Sequence, residues 1–407
     1  AWGAARGLEP GNYDQIQQAL RSDNREQMQR LLQRGGLDVA HQVEVLARLG
    51  HDGEALATAL SAQGDEQPVS IRQQLLYQAT GMLERSPQGI QLGWHKMDFG
   101  DLDISGPRLR VARNLGDDWY ADLQLDQMRY DSANLDSAVM GNERNLKLHA
   151  RRELSDGDLS LYLDSSLRDD DDRHGLGIER TWRLSSRDEL GVAVDWHRQA
   201  DDTGLLRALG MRDGLGLRGQ HGFSARDQLS WSITHSRYSS RSGDALGTGN
   251  GVSVEWGHML FFDDPSWLLR TGLDYQKNSV ESEVPSELLS ANGGAYIPFD
   301  TTPGATIQGE ELMQDRYGQV YVASTWRRGF PGALNRTRPQ FTWMVDTIAG
   351  WQWTEKQFNY GINLGVGVEL FGDDELAVTL GYQSAPRGGE GDAGGSMGIT
   401  YSTRFGR

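Results

Sequence analysis

The stretch TWRLSSRDELGVAVDW, residues 181–196, carries the feature that most restricts how this chain can fold. Trp182, Leu184, Leu190, Val192, Val194 and Trp196 fall on one face of two period-2 runs. Thr181, Arg183, Gly191, Ala193 and Asp195 fall on the other, and the runs meet at SSRD. Alternation of this kind marks β-strands with two unlike faces. It continues from about residue 88 almost to the last residue. GIQLGW, WYADLQLDQ, LSLYLDS, QLSWSITHS and NYGINLGVGVEL each put apolar residues on one side and Gly, Ser, Asp, Asn or Gln on the other. The spacing predicts sixteen strands, at about 88–98, 107–114, 117–130, 143–154, 157–168, 174–185, 188–198, 213–224, 227–238, 250–262, 265–278, 314–328, 338–353, 356–371, 374–384 and 394–406. The twelfth, containing YGQVYVAST, alternates least cleanly.

A soluble sandwich alternates too, so the links decide. NLGD, SDGD, SSRD, SARD, FDDP and FGDD are tight, turn-rich connections after strands 2, 4, 6, 8, 10 and 14. Most of the links after strands 1, 3, 5, 7, 9, 11 and 15 are expected to be longer, the longest at about 279–313; RRGFPGALNRT and WTEK, after strands 12 and 13, break the rule. One trimmed end and one decorated end is the pattern of an outer-membrane barrel. In lipid every backbone N–H and C=O must be paired, so a spanning sheet must close on itself. The expected fold is therefore mostly β: a sixteen-stranded antiparallel transmembrane barrel over 88–407, behind a short helical segment over 1–87. The apolar face meets outer-membrane lipid. Trp94, Trp119, Trp182, Trp196, Trp267 and Trp353 suit the interface belts. The polar face lines a wet lumen, which explains a mean hydropathy of −0.58 in a membrane protein. An even strand count puts both barrel ends, and the helical segment with them, on the periplasmic side.

The helical segment has a different period. Ile16, Ala19 and Leu20 share a face, as do Met28, Leu31 and Leu32, then Val43, Leu46 and Ala47. Gly35–Gly36, Gly50 and Gly64 stand where helices would end. LARLGHDGEAL resembles the core of a tetratricopeptide (TPR) repeat, with Gly53 where an aromatic is usual. Such arrays need about three repeats to stand alone. Either this is the end of a longer array, or these helices lean on something else. SIRQQLLYQATGMLER, 70–85, reads as a last helix.

Composition narrows the functions. No apolar run is long enough for a transmembrane helix. The chain has no cysteine, which excludes disulfides, cysteine-ligated zinc and a thiol nucleophile. AWGAARGLEP has neither a basic leader nor an apolar core, so an exported chain is expected to be a mature fragment. A net charge of −17 argues against nucleic acid and fits a cationic ligand or a merely solvated surface. The helical part holds only 11 of the 57 acids and 8 of the 40 bases, so the acidity belongs to the barrel.

Alternation assigns Asp122, Asp126, Asp164, Glu179, Asp195, Glu255, Asp274, Asp346 and Glu369 to the lumen, together with Arg108, Arg110, Lys147, Arg151, Arg183, Arg218 and Arg270. Two readings stand open: a salt-bridge network that stiffens the wall, or carboxylates that prefer cations. Tyr120 and Tyr162 also point inward, either as surfaces on which a sugar chain slides or as packing. In the long link, Glu281, Glu283, Glu287, Asp300, Glu310 and Glu311 would gate the exit if the loop folds over the mouth, and otherwise belong to a mobile surface loop.

Helices of TPR type followed by a sixteen-stranded barrel resemble the outer-membrane exporters of bacterial exopolysaccharides, whose members handle cellulose, poly-N-acetylglucosamine and the Pel polymer. Barrel length, acidity and the short TPR remnant are most similar to the PelB-type exporters. That resemblance implies passive export of a partly deacetylated, hence cationic, amino-sugar polymer for biofilm matrix. It also implies a periplasmic deacetylase/hydrolase held by the TPR array and a PelC-type lipoprotein ring beneath the barrel. The last strand, GSMGITYSTRFGR, with Tyr401 and Phe405 on one face, resembles the signal read by the barrel-assembly machinery, although two residues follow Phe405.

Other motifs carry less. GLGLRG, 214–219, matches G-x-G-x-x-G but lies inside a period-2 strand with no βαβ unit. RDDDDRH, 168–174, lacks calcium-loop spacing and reads as a solvated outer loop. Asp195 and His197 share a face by alternation, but no nucleophile signature accompanies them. No metal, cofactor or catalysis is expected. The rival readings are a small-solute porin, an enzyme housed in a barrel, and a structural barrel with a blocked lumen.

Overall fold

The structure, a computed structural model, describes residues 12–22, 24–49, 51–62, 71, 75, 87–100, 102–116, 118–185, 187–224, 226–262, 265–299, 306–334, 341–371, 374–385 and 393–404. Asp300 and Phe405, Gly50 and Gly64, and most of the expected helix at 70–85 lie outside the described residues.

Four helices come first: α1 (Asn12–Arg21), α2 (Arg25–Arg34), α3 (Val39–Leu49) and α4 (Asp52–Ser61). Asn24 caps α2 by accepting from the Gln27 amide at 3.0 Å, and Gly35 ends it at φ +72°. The expected faces are the buried ones. Ile16, Ala19, Met28 and Leu31 pack with Val45 and Leu49 of α3, while Val43 and Leu46 of α3 pack with Ala55, Leu56 and Ala59 of α4. The helix α3 is therefore apolar on two sides, one for each neighbour.

Sixteen strands follow: β1 (Gly89–Asp98), β2 (Asp103–Gly116), β3 (Trp119–Asp131), β4 (Glu143–Leu154), β5 (Gly157–Leu167), β6 (Arg173–Arg183), β7 (Asp188–Gln199), β8 (Gly210–Gly222), β9 (Asp227–Ser240), β10 (Ala245–Phe261), β11 (Ser266–Val280), β12 (Arg316–Arg328), β13 (Phe341–Gln352), β14 (Gln357–Glu369), β15 (Glu375–Gln383) and β16 (Gly394–Arg404). Each strand pairs antiparallel with its sequence neighbour, and β1 pairs with β16, so the sheet is a closed barrel. Trp94, for example, sits opposite Pro107 on β2 and Ile399 on β16. Closure leaves no strand edge exposed.

One side of the wall is greasy. Leu92, Leu125, Leu148, Leu161, Ile178, Val194, Leu215, Ile233, Val252, Leu273, Val322, Leu364, Leu380 and Met397 are each about a third or more exposed. They run round the barrel as a belt, which water would not tolerate and lipid requires. Aromatic rings flank the belt at both rims. At the rim where β1 begins and β16 ends, the near rim, stand Trp119, Trp182, Phe261, Trp267, Trp326 and Trp343, the last two edge to face at 4.8 Å. At the opposite, far rim stand Trp196, Tyr275, Trp351, Trp353, Phe358, Tyr360 and Tyr382. Trp94 departs from expectation, lying in the middle of β1.

The near-rim turns SSRD and SARD are twins. In one, the Arg187 amide donates to Ser185 Oγ and Ser185 Oγ to Asp188; in the other, Arg226 donates to Ser224 Oγ and Ser224 Oγ to Asp227. The far rim departs from the expected plan. The links 99–102 and 241–244 are short, because β2 and β10 begin earlier than alternation suggests; β8 also begins early, and the link 168–172 is as short as its spacing implied. There the wall no longer separates lipid from water: Ile104 and Leu246 are buried against far-rim loops, so the polar/apolar alternation fades while the strand continues. At the near rim, the link 329–340 is the long exception, as its sequence foretold.

Candidate functional site: the lumen and its far mouth

The lumenal face has two kinds of wall. On β2–β8 the inward side chains are long, charged and tied together. Arg108 Nε donates to Asp126 at 2.8 Å, and Arg110 pairs with Asp122. Arg198 reaches Asp164 at 3.2 Å and Asp195 at 2.9 Å, and Arg212 reaches Asp195 at 3.1 Å. Glu179 pairs with Arg218 and accepts from the Tyr162 hydroxyl at 3.3 Å. A second knot lies on β10–β13, where Arg270 bonds Asp346 at 3.1 Å and stands 3.6 Å from Glu255, which also accepts from Tyr321 at 2.8 Å. Asp274 is held by Ser253 Oγ at 2.6 Å and Gln319 Nε2 at 3.1 Å.

Away from the near rim, where Glu369 and Glu375 stand, the lumenal side of β14–β16 carries Gly361, Asn363, Gly365, Thr379, Gly381, Ser396, Gly398 and Thr400: small, uncharged groups. Space opens where these two walls meet. A cavity of about 570 Å³ is lined by Glu255, Arg270, Thr325, Asp346, Asn363, Thr379 and Ser396 among others. The carboxylates of these ion pairs are largely shielded from water, Asp126 and Asp164 most of all, so desolvation offsets much of their attraction and the pairs add little net stability. Their larger effect is to stiffen the wall and offset the carboxylates, so the lumen's field is weaker than its acid count suggests.

Other expected site residues have well-defined surroundings. Tyr120 is 5% exposed beneath Leu334, with Arg151 over its ring. Tyr162 is stacked on His149 at 4.6 Å, with Arg198 4.7 Å from its centroid. Rings covered in this way are packing, not sliding surfaces. Glu369 sits opposite Glu375 at the near rim. Asp195 and His197 do not share a face: β7 bulges between Asp195 and Arg198, with His197 at φ +51°. The bulge turns His197 onto Trp196 at 4.0 Å and brings Arg198 inward. Tyr401 lies near the end of β16, its hydroxyl bonded to Asp374. Among the described residues, no three His, Asp or Glu side chains are grouped to hold a metal ion. Two acids of RDDDDRH are engaged otherwise: Asp170 pairs with Arg168 at 2.8 Å, and Asp172 accepts from the Arg168 amide at 3.1 Å, while the Asp171 backbone carbonyl accepts from Arg241 at 2.9 Å.

The far mouth is bridged. Residues 281–299 leave β11 and pack across the opening, and residues 306–315 return to β12. Val284, Leu288, Ala295, Tyr296, Leu312 and Met313 form one buried cluster with Leu102 and Ile104 of the β1–β2 hairpin, Met128 and Tyr130 of β3, and Tyr238 of β9. In a closed ring of sixteen, β2–β3 and β9–β11 stand on opposite sides, so this apolar layer spans the mouth. Two short helices join it: α5 (Ser137–Met140), capped by Asp136, and α6 (Gly204–Leu209), capped by Thr203. Backbone bonds lock the crossing. The Asp136 amide donates to Ala295 O at 2.7 Å, the Ile297 amide to Asn134 O at 2.9 Å, and Thr203 Oγ1 to Leu312 O at 2.8 Å. The loop acids are not the seal. Glu281, Glu283, Glu287 and Glu310 are exposed, and Glu311 is occupied by the Tyr296 hydroxyl at 2.6 Å.

A buried ionic brace, not anticipated from the sequence, holds the same end. Glu143 is fully buried and accepts from Arg241 at 3.0 Å and Ser166 at 2.5 Å; Arg173 is 2% exposed beside it. These residues lie up to 98 positions apart, so no local pattern links them.

Residues 84–404 match the family described as PelB, C-terminal beta barrel domain. The chain belongs to that family. Among solved structures, one titled "Bacterial polysaccharide outer membrane secretin" is similar, with TM-score 0.53 and 11% identity, over 78% of this chain and 99% of that chain. CdiB from Acinetobacter baumannii gives TM-score 0.43 at 13% identity over 78% and 60%, and an anion-selective porin from Comamonas acidovorans 0.39 at 10% over 78% and 98%. At such identities the likeness concerns the fold alone. No curated protein sequence matches. Family membership and the lipid-facing belt make this PelB-type domain an outer-membrane β-barrel.

Proposed function

We propose that this barrel is the outer-membrane pore through which a polysaccharide leaves the periplasm for the cell surface. The observation that carries the proposal is the combination of membership in the PelB barrel family with a lumen of sixteen-strand width, walled partly by hydroxyls, amides and glycines. Export needs no covalent step: the wall supplies a wet path, and the polymer is driven from behind. The near rim, which carries the helices, then faces the periplasm, and the bridged far mouth faces outward. The cargo is a cationic, partly deacetylated amino-sugar polymer of the Pel type destined for biofilm matrix, in keeping with the acidic balance of the barrel. The TPR-like helices hold a periplasmic deacetylase/hydrolase, a PelC-type lipoprotein ring lies beneath the near rim, and the barrel-assembly machinery inserts the wall. The bridged mouth favours gated export over a standing diffusion pore.

Planar-bilayer recording tests the cargo. Cationic amino-sugar oligomers are expected to block the current at lower concentration than anionic oligomers of equal length. Preferential block by the anionic set reverses the substrate reading, and indifference to both returns the barrel to the general porins.

A further inference from the structure

The link after β12 does not turn back tightly, as its near-rim neighbours do. It bends into the lumen. Gly329 and Gly332 adopt φ +71° and +75°, and Pro331 stands between them, so the bend is set by backbone that other residues would strain to follow. From there the segment follows the inner wall round. The wall is cut to receive it: a Cβ on Gly365 of β14 would stand 3.3 Å from Pro331 Cβ, and one on Gly332 would stand 3.2 Å from Ala377 Cβ on β15. Gln91 of β1 donates to the Gly332 carbonyl. Leu334 is 2% exposed against Ala112 of β2 and Tyr120 of β3. Residues 329–334 thus reach from β12 past β14, β15, β16 and β1 to the β2–β3 hairpin. The cavity described above lies beside this strap, and Phe330, held 3.5 Å from the Arg327 guanidinium, forms part of its lining.

We infer that residues 329–334 are an inner gate, a strap that narrows the pore at its near, periplasmic mouth and swings aside for cargo. The inference rests on the reading of the lumen as the export path. Among the described residues, the strap is held by the Gln91 hydrogen bond to its backbone and by Leu334 against Ala112 and Tyr120, whereas the far-mouth bridge is a wide apolar layer. The two closures act in series, and the inner one is the more easily displaced.

The chain has no cysteine, so Leu334→Cys with Ala112→Cys offers a single possible disulfide. Recordings are made on the full chain and on a chain lacking residues 283–308. In the loop-deleted chain, oxidation of the double-cysteine variant is expected to hold the current low and steady, and reductant to restore openings. Either single-cysteine variant should ignore both treatments. Replacing residues 330–334 by two glycines is expected to raise the single-channel conductance of the loop-deleted chain several-fold, and this arm decides alone if the disulfide does not form. In the full chain the same replacement should change little, because the far mouth stays bridged. A loop-deleted chain indifferent to the replacement overturns the gate. Small ions carry this readout, so failure of the oligomer experiment would remove the cargo assignment and leave the gate standing.

Discussion

Removal of residues 283–308 should turn a closed barrel into a conducting one, with single-channel current rising on the order of ten-fold or more, as expected when a sixteen-stranded lumen is uncovered. The deleted stretch contains Val284, Leu288, Ala295 and Tyr296, the part of the buried layer that crosses the mouth. It also contains the backbone partners of Asn134 and Asp136 on the opposite side. Neutralising Glu281, Glu283, Glu287 and Glu310 together, with the loop intact, should leave the closed state in place, because those carboxylates are exposed and the closure is apolar. Planar-bilayer recording of the two variants separates the ideas. Opening by neutralisation alone would restore the acids as the gate, and an unchanged current in a deletion chain whose residues 330–334 are also replaced by two glycines would remove the loop from gating.

The second large effect concerns the far-rim brace. Arg241→Ala takes from the fully buried Glu143 carboxylate its hydrogen-bonded cation, a change that costs up to about 3–5 kcal/mol, with Arg173 beside it offsetting part of the loss. The loss should fall on the far-rim loops first, since Arg241 sits in the β9–β10 link and also holds the Asp171 carbonyl. Limited proteolysis of the membrane-inserted protein is expected to cut the far-rim loops while the strands stay protected. The paired replacement Glu143→Gln with Arg241→Leu removes both members of the pair and should recover part of the protection, since the carboxylate is no longer buried without its partner and Arg173 keeps its bond to the His197 carbonyl. Equal damage in the single and the double variant would show that the brace acts through shape, not charge.

What the sequence made legible was whatever repeats locally. All sixteen strands, their order and the greasy belt follow from alternation, since a lipid-facing wall with a wet inner face enforces period 2 on every strand. Arg198 was missed because alternation counts it outward; only the bulge after Asp195 brings it to Asp164. The far mouth was harder still. Leu288, Tyr296, Leu312 and Met313 follow no period, since loop residues are buried by whatever they meet across the opening. The early starts of β2, β8 and β10 were hidden for the same reason: once both faces of a strand are covered, its pattern fades. Glu143 and Arg241 pair across links that carry no signature of one another. The RRGFPGALNRT link announced itself as an exception to the turn rule, but only its path along the wall gives the exception a purpose.

Three neighbouring strands test the wall directly. Leu364, Leu380 and Met397 form one row across β14, β15 and β16, while Asn363, Thr379 and Ser396 lie one step along on the other face. Each is replaced singly by cysteine in the cysteine-free chain and probed in native outer membranes with two thiol reagents, one confined to water and one dissolved in lipid. The lumenal three should react with the aqueous reagent alone and the belt three with the lipid reagent alone. Aqueous labelling of the belt row, or lipid labelling of the lumenal row, would contradict a closed membrane wall with water inside it.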